Sequence, residues 1–560
     1  MGAIKLNILD LKNLNSVQTI FYNKLSFDIR EEFIQTIDGL YAKNNDTLGW
    51  CFSSIASKDL YLTDIFVESL NFIFVIESIK LDPSISQVKV YNYGLAKSLV
   101  KWVKNNEHKV DIVSLDNITT RWGKKIQILF YLFLEIFFGI CISLFQTKKN
   151  IEDNNGKKNV LLDSFISDHN CLPVNFVDRW FTGISNYLPE NINLYYLPTL
   201  NVRPWEKWKV VKSYKKDSRF IIKELYLNPF DYIISFVNTI FNSIELSNVQ
   251  FCDYDITELF NYENFCSKWN ISTFLAWNNY KFTERLKKSE FNVHLLIDWN
   301  ENQLIDKSLT KGFHDFFTNV RVIAYRGYII SNQFIHIIPT KEEGRLKLTA
   351  DKYGVIGNGL ENEFLEFNSD LNVFTAPAFR FSHVYDKRKY YPSEGIQIAI
   401  ALPIDLNLSI LLIKDMFSII NNLPENARFI IKSHPNNAPS LIKQLVGKWD
   451  NRFSFSNFDL NRTLEESHIL ITTMSTSAME SLSKGILTII KCYNSKLFLI
   501  PIPQGVNNSI WDFCLSNELL TKTLKKMLEV PNEELILESE KIKSNYFCEV
   551  NAKTVQNLFN

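Results

Sequence analysis

Phe429-Ile430-Ile431-Lys432-Ser433-His434-Pro435 and Leu470-Ile471-Thr472-Thr473-Met474-Ser475-Thr476-Ser477-Ala478-Met479-Glu480 decide how this chain is read. Each is a short apolar run that stops at small, polar or imidazole residues, and a helix-like segment follows each. In a parallel α/β sheet, ligands bind where strands end and helices begin. The two ends lie about one strand–helix–strand unit apart and so can face one crevice. The first offers His434, with Pro435 fixing the backbone beyond it. The second offers the hydroxyls of Ser475, Thr476 and Ser477 at a helix start, which suits a phosphate. Glu480, one turn further in, has the reach to accept ribose hydroxyls. The competing reading is purely local, because Ser477-x-x-Glu480 is also a capping box.

Around these stretches the pattern is α/β throughout. Strands are predicted at 396–400, 428–432, 453–455, 469–472 and 487–491. Helices are predicted at 406–421, 439–448, 460–465 and 477–484, and 507–560 reads as a mostly helical tail. An earlier set has strands at 159–162, 193–197, 293–298, 321–325 and 334–338, with helices at 177–187, 229–244, 272–286 and 303–317. Residues 1–118 carry a small α/β pattern of their own. The predicted division is an N-terminal α/β domain (1–118), an apolar helix and linker (119–158), and two Rossmann-like domains at 159–392 and 393–560. The basic, aromatic stretch 377–392 bridges the two.

Residues 126–145 (IQILFYLFLEIFFGICISLF) form the most apolar run. As a helix it would be about 30 Å long, enough to cross a bilayer core. Glu135 stands near its middle, where a charge costs about 2–3 kcal/mol or more. Basic residues flank both ends. A helix lying in the membrane interface tolerates this better than a span does, and a wholly buried core helix is the alternative.

The first Rossmann-like segment has its own strand-end groups. Asp298-Trp299-Asn300-Glu301-Asn302 ends its most apolar strand, so Asp298 or Glu301 can act as general base toward an acceptor hydroxyl. An acid-rich helix start reads the same way. Arg326, after another strand, and Arg380, between Phe379 and Phe381, are candidate anion ligands. The closely spaced glycines at 354–359 do not fit G-x-G-x-x-G.

Composition sets outer bounds. The 560 residues are 46% hydrophobic with zero formal net charge, so real cores are expected and no global basic surplus drives nucleic-acid binding. The eight cysteines include no C-x-x-C pair and read as reduced thiols. The start, MGAIKLNILDLKN, lacks the pattern of a signal peptide, and Leu6 excludes the myristoylation motif. The cytoplasm is the predicted compartment. Walker A, G-x-S-x-G and H-E-x-x-H motifs are absent from the sequence, and no D-x-D motif stands in a suitable place.

With these residues in view, a resemblance is apparent. Trp299-Asn300-Glu301-Asn302-Gln303, Tyr325-Arg326-Gly327, Ala376-Pro377-Ala378-Phe379-Arg380-Phe381, Ala401-Leu402-Pro403-Ile404 and Lys432-Ser433-His434-Pro435 together resemble bacterial surface-carbohydrate biosynthesis proteins, over about residues 159–500. The resemblance implies a glycosyltransferase of GT-B fold, two Rossmann-like domains facing a cleft. The His-Pro pair followed by a Ser/Thr cluster is also similar to bacterial sialyltransferases, capsule Kdo transferases and CDP-glycerol-dependent polymerases. In those families these motifs contact the phosphate of a cytidine nucleotide donor. Carried over, His434, Pro435, Ser475, Thr476 and Ser477 hold the donor phosphate. Lys432-Ser433 departs from the Lys-Pro often found there, and Glu342-Glu343-Gly344 is the literal match to the sialyltransferase acidic motif. The resemblance implies a nucleotide-sugar substrate, no cofactor and no metal, and a glycan or lipid-linked glycan acceptor. It also implies a peripheral position at the inner membrane surface through residues 126–145. The alternatives are a CDP-polyol phosphotransferase of the same fold and a non-catalytic glycan-binding or assembly protein.

Overall fold

The computed structural model describes residues 7–146, 156–167, 173, 176–387 and 395–559. Most of the predicted 147–158 linker, the end of the 377–392 bridge and Cys171 therefore lie outside the described residues.

Two six-stranded parallel sheets form the body. The first runs, in spatial order, Val373–Thr375, Lys352–Val355, Arg321–Arg326, Leu295–Trp299, Lys158–Ser167, Ile192–Asn201. Its order reverses between Lys158–Ser167 and Leu295–Trp299, and such a switch point is where ligands bind in open α/β sheets. The second runs Phe453–Phe455, Ala427–Lys432, Ile396–Ala401, Ile469–Thr472, Leu487–Lys491, Trp511–Cys514, the doubly wound order with its switch beside Ile396–Ala401. The central strands are buried on both faces, as in Leu295–Trp299 and Ile469–Thr472, because helices cover both sides of a parallel sheet. The predicted GT-B arrangement of two Rossmann-like lobes is thus present.

Two predicted elements differ. Residues 177–187 form turns with only a short 3-10 segment, Ile184–Tyr187, in place of a helix. Residues 334–338 form a 3-10 turn, Ile335–Ile337, instead of a strand. Apolar content at these positions reflects burial of irregular backbone, which periodicity does not separate from a regular element. Lys352–Val355, Val373–Thr375 and Trp511–Cys514 are additional strands of three or four residues, too short to show an alternation.

The N-terminal unit has a three-stranded parallel sheet, Asn7–Asp10, Ile85–Val90 and Asp111–Ser114. Its core is not confined to residues 1–118, because Leu246, Val249, Phe251, Leu259 and Trp277 join it. A buried charge cluster ties this unit to the first lobe. Lys58 and Lys307 both pair with Glu343, and all three are essentially inaccessible. Burial raises the Glu343 pKa, but Lys307 and Lys58 outweigh it and hold the carboxyl at about 2. Glu343 also closes a capping box with Thr340. The Glu342-Glu343-Gly344 match to an acidic catalytic motif is therefore a structural clamp.

The C-terminal segment returns to the first lobe, so the tail of the 393–560 unit is shared. Ala378 N–H donates to the Cys548 carbonyl at 2.8 Å, and Arg321 donates to the Phe559 carbonyl at 3.2 Å. Gly357 makes this seam possible, since a Cβ there would lie 2.4 Å from Tyr546 backbone atoms. Gly357 and Gly359 thus serve a close chain crossing, while Gly354 sits against Ala376 and Phe374.

The apolar helix runs over Ile118–Phe145. Glu135 is turned inward and pairs with Lys207 at 2.6 Å, both buried. Among the described residues it alone is long and apolar enough to cross a membrane, yet only 28% of its most apolar stretch is buried. A wholly buried core helix is thereby excluded.

Glu343→Ala strands two buried ammonium groups and is expected to cost about 3–5 kcal/mol, read by urea denaturation. The clamp has a depressed carboxyl pKa, so wild-type stability present above about pH 4.5 should fall away as pH drops toward 2. The variant should lose this part of the slope. Gly357→Ala is expected to destabilise by about 1–3 kcal/mol by overpacking, whereas Gly123→Ala, at an open position inside a helix, is expected to stabilise by up to about 1 kcal/mol.

Candidate functional site

Near the strand ends the two lobes approach one another: the Arg179 charge of the first acts on His434 of the second, and His383 meets Glu480. On the second lobe, Ala401 is level with Lys432, and Ile400 with Ile471. Leu402 N–H donates to the Lys432 carbonyl at 3.0 Å, and the Thr472 hydroxyl donates to the Ala401 carbonyl at 2.9 Å. The strand leading to His434 and the strand leading to Ser475 are therefore two spacings apart, about 10 Å.

His434 is partly buried. Its Nδ1 accepts the backbone N–H of Asn436 at 3.2 Å, which leaves Nε2 to carry the proton in the neutral ring. Burial, and then the positive charge of Arg179, lower its pKa. At neutral pH it is an uncharged N–H donor. Pro435 is exposed beside it.

Ser475 and Thr476 are partly exposed and Ser477 is buried. The Ser477 hydroxyl and N–H both donate to the Ser475 hydroxyl, at 2.9 and 3.3 Å. The helix Ser477–Ser483 starts from Thr476 without a side-chain cap. The capping-box reading of Ser477 and Glu480 therefore fails. Glu480 instead meets His383 Nε2 at 3.0 Å, and Lys484 donates to the His383 carbonyl at 3.1 Å. His383 lies in the segment joining the lobes, so Glu480 has a protein partner before any ligand arrives.

Across the crevice, Trp180 packs on Trp299 with centroids 4.4 Å apart. Arg179 lies over Trp180 at 4.4 Å and Arg380 over the same ring at 5.2 Å. Burial and the neighbouring Arg380 charge lower the Arg179 pKa. Two guanidinium groups thus share one indole, a cation–π arrangement, and among the described residues no carboxylate pairs with either. Arg179 and Trp180 follow the first strand of the switch point, and Trp299 ends the other. The switch-point rule identifies that loop once the strand order is known. Reading 177–187 as a helix hid it.

The acids of this lobe separate by burial. Glu301 is half-buried, accepting Trp299 Nε1 at 3.1 Å and Gln303 Nε2 at 3.1 Å. Asp298 is fully buried, and burial, then the charge of Asp163, push its pKa up to about 7. It accepts from Asn300 at 3.0 Å and forms an interior polar group with Asp163 and Lys223. That burial keeps Asp298 from reaching an acceptor hydroxyl. Arg326 is likewise buried, donating to the Ile337 carbonyl and lying over Phe364 and Tyr328. It is engaged in packing rather than presented as an open anion ligand. Among the described residues, no group of three or more His, Cys, Asp or Glu side chains is arranged to hold a metal.

No protein-family model and no curated protein matches the chain. Solved structures are similar at low identity. A Listeria monocytogenes protein assigned as a UDP-N-acetylglucosamine 2-epimerase aligns over 72% of this chain and 95% of its own, at 11% identity and TM-score 0.44. A Neisseria meningitidis UDP-GlcNAc 2-epimerase bound to UDP-GlcNAc aligns over 72% and 98%, at 11% identity and TM-score 0.41. The wall teichoic acid polymerase TagF aligns over 79% of this chain and 96% of its own, at 12% identity and TM-score 0.38.

Proposed function

We propose that this chain is a glycosyltransferase of surface-polysaccharide synthesis, moving a sugar from a cytidine-linked nucleotide donor to a lipid-linked or oligosaccharide acceptor. The observation that carries the reading is that His434 on one lobe lies within electrostatic reach of Arg179 on the other, which shares the Trp180 ring with Arg380. The motif resemblance at His434-Pro435 and Ser475-Thr476-Ser477 supports it independently.

In this reaction the acceptor oxygen bonds to the anomeric carbon, and the bond from that carbon to the donor phosphate breaks. The phosphate leaves with the electron pair, and the acceptor proton passes to a base. Charge develops on the departing phosphate, so donors fixed in advance lower the barrier. His434 supplies an N–H whose tautomer is preset by Asn436. Ser475 and Thr476 supply hydroxyls, while Arg179 and Arg380 supply fixed positive charge. Glu301 is the proposed base, since it is the accessible acid at the strand end where Asp298 is sealed. The two guanidinium groups take the place of a divalent cation, so turnover is expected to persist in EDTA. The cytoplasmic side of the inner membrane, where activated nucleotides are made available, is the proposed location.

A melting panel with CMP, CDP and UDP tests the reading. CMP or CDP is expected to raise Tm, by the linkage of ligand binding to stability. Activity with CMP-sugars against CDP-polyols then separates glycosyl from polyol-phosphate transfer. His434→Ala should lower kcat by about 10²–10³, the effect of removing one preorganised donor. No nucleotide effect, with unimpaired cellular function in His434→Ala, would instead point to a non-catalytic protein.

Arg179→Gln removes a cation that holds down the His434 pKa. The His434 pKa, followed by NMR of its ring protons, should rise in the variant. An unchanged value would mean that the two lobes do not bring these residues together in solution.

A further inference from the structure

The long apolar helix has a neighbour built in the same unusual way. On Ile118–Phe145 the inward side mixes polar, small and apolar residues: Lys125, Leu132, Glu135 and Ile142 are buried, and Gly139 fits against Tyr232. The outward residues are Ile126, Phe130, Phe133, Phe137 and Leu144, each more than half exposed. The helix Pro229–Phe241 repeats this. Asp231, Tyr232, Ser235 and Thr239 are buried, while Phe230, Ile233, Ile234, Val237 and Phe241 are exposed. Phe133 and Phe236 pack across the pair with centroids 5.4 Å apart.

A helix on the surface of a water-soluble domain normally turns its apolar stripe inward. Here both helices also turn an apolar stripe outward. Beneath them lie ion pairs, Glu135 with Lys207 and Asp231 with Arg285. A cavity of about 40 Å³ is bordered there by Glu135, Lys207, Glu224 and Tyr232. Two adjacent helices that both expose an apolar stripe produce one continuous apolar face, larger than isolated exposed side chains produce.

The surroundings of the face specify its occupant. The helix Pro204–Tyr214 abuts the end of the long helix through Phe145 and Trp208, 6.4 Å apart. It exposes Trp205, Lys209 and Lys212, and Arg203 precedes it. Trp122 and Lys124 are exposed at the other end of the long helix. Apolar residues flanked by tryptophan and lysine or arginine match the bilayer boundary, where indoles sit at the headgroups and cations meet anionic lipid.

We propose that Ile118–Phe145 and Pro229–Phe241 together form an in-plane membrane face that enters the headgroup–acyl boundary of an anionic bilayer. The long helix lies on the bilayer rather than crossing it, because its inner side remains packed on the first lobe through Glu135 and Lys207. The contribution of Pro229–Phe241 is the new element, and it is independent of the reaction assigned to the crevice.

Flotation of the full-length protein with vesicles of equal parts phosphatidylcholine and phosphatidylglycerol tests this. Wild type is expected to float, and to float less with phosphatidylcholine alone. The pair Phe230→Ser and Ile234→Asn replaces exposed side chains, so the melting temperature should hold while vesicle partition drops roughly tenfold or more. Phe133→Ser with Phe137→Asn should act alike. Wild type that stays unbound, or a Pro229–Phe241 variant that floats like wild type, overturns the proposal. A dimer in sedimentation velocity that this variant splits would also overturn it, since a second copy would then cover the face.

Discussion

Parallel strand pairing is the constraint from which the rest of the molecule follows. Every paired strand in the two large sheets runs in the same direction as its neighbours. Parallel strands need crossover connections, so all strand C-termini emerge at one edge. In each lobe that edge carries candidate site residues: His434 and Ser475 in one, Trp299 and Glu301 in the other.

The lobes are held in register by links at their junction. The chain crosses back at Cys548 and Phe559, and Gly357 leaves room for Tyr546. His383 joins Glu480 at the junction. Such links fix how far His434 stands from Arg179, and the electrostatic effect of one on the other depends on that distance. Buried charges do similar positional work elsewhere. The Glu343 clamp joins the N-terminal unit to the first lobe, and its two lysines make the pairing selective for one arrangement.

The same physics separates residues that looked alike in sequence. Asp298 and Glu301 are both acids at the end of one strand, three residues apart. The strand pleat points Asp298 into a sealed interior beside Asp163, whereas Glu301 lies past the strand and stays partly exposed. Arg326 and Arg380 both follow apolar runs flanked by aromatics. One is buried against a carbonyl, and the other lies over Trp180.

The sequence by itself determined the alternation of strands and helices, the two Rossmann-like lobes and the placement of His434 and Ser475 at strand ends. These are local properties, readable from apolar periodicity and from where it stops. Tertiary structure alone decided which strand ends share a crevice, because strand order is not written in local pattern. It decided that the charge of Arg179 reaches His434, that Glu480 meets His383, and that Glu343 is a clamp. It also decided the orientation of the long apolar helix. Composition announces such a helix, but only its packing against Lys207 and Tyr232 shows which side is turned to the protein, since burial is a property of neighbours distant in the chain.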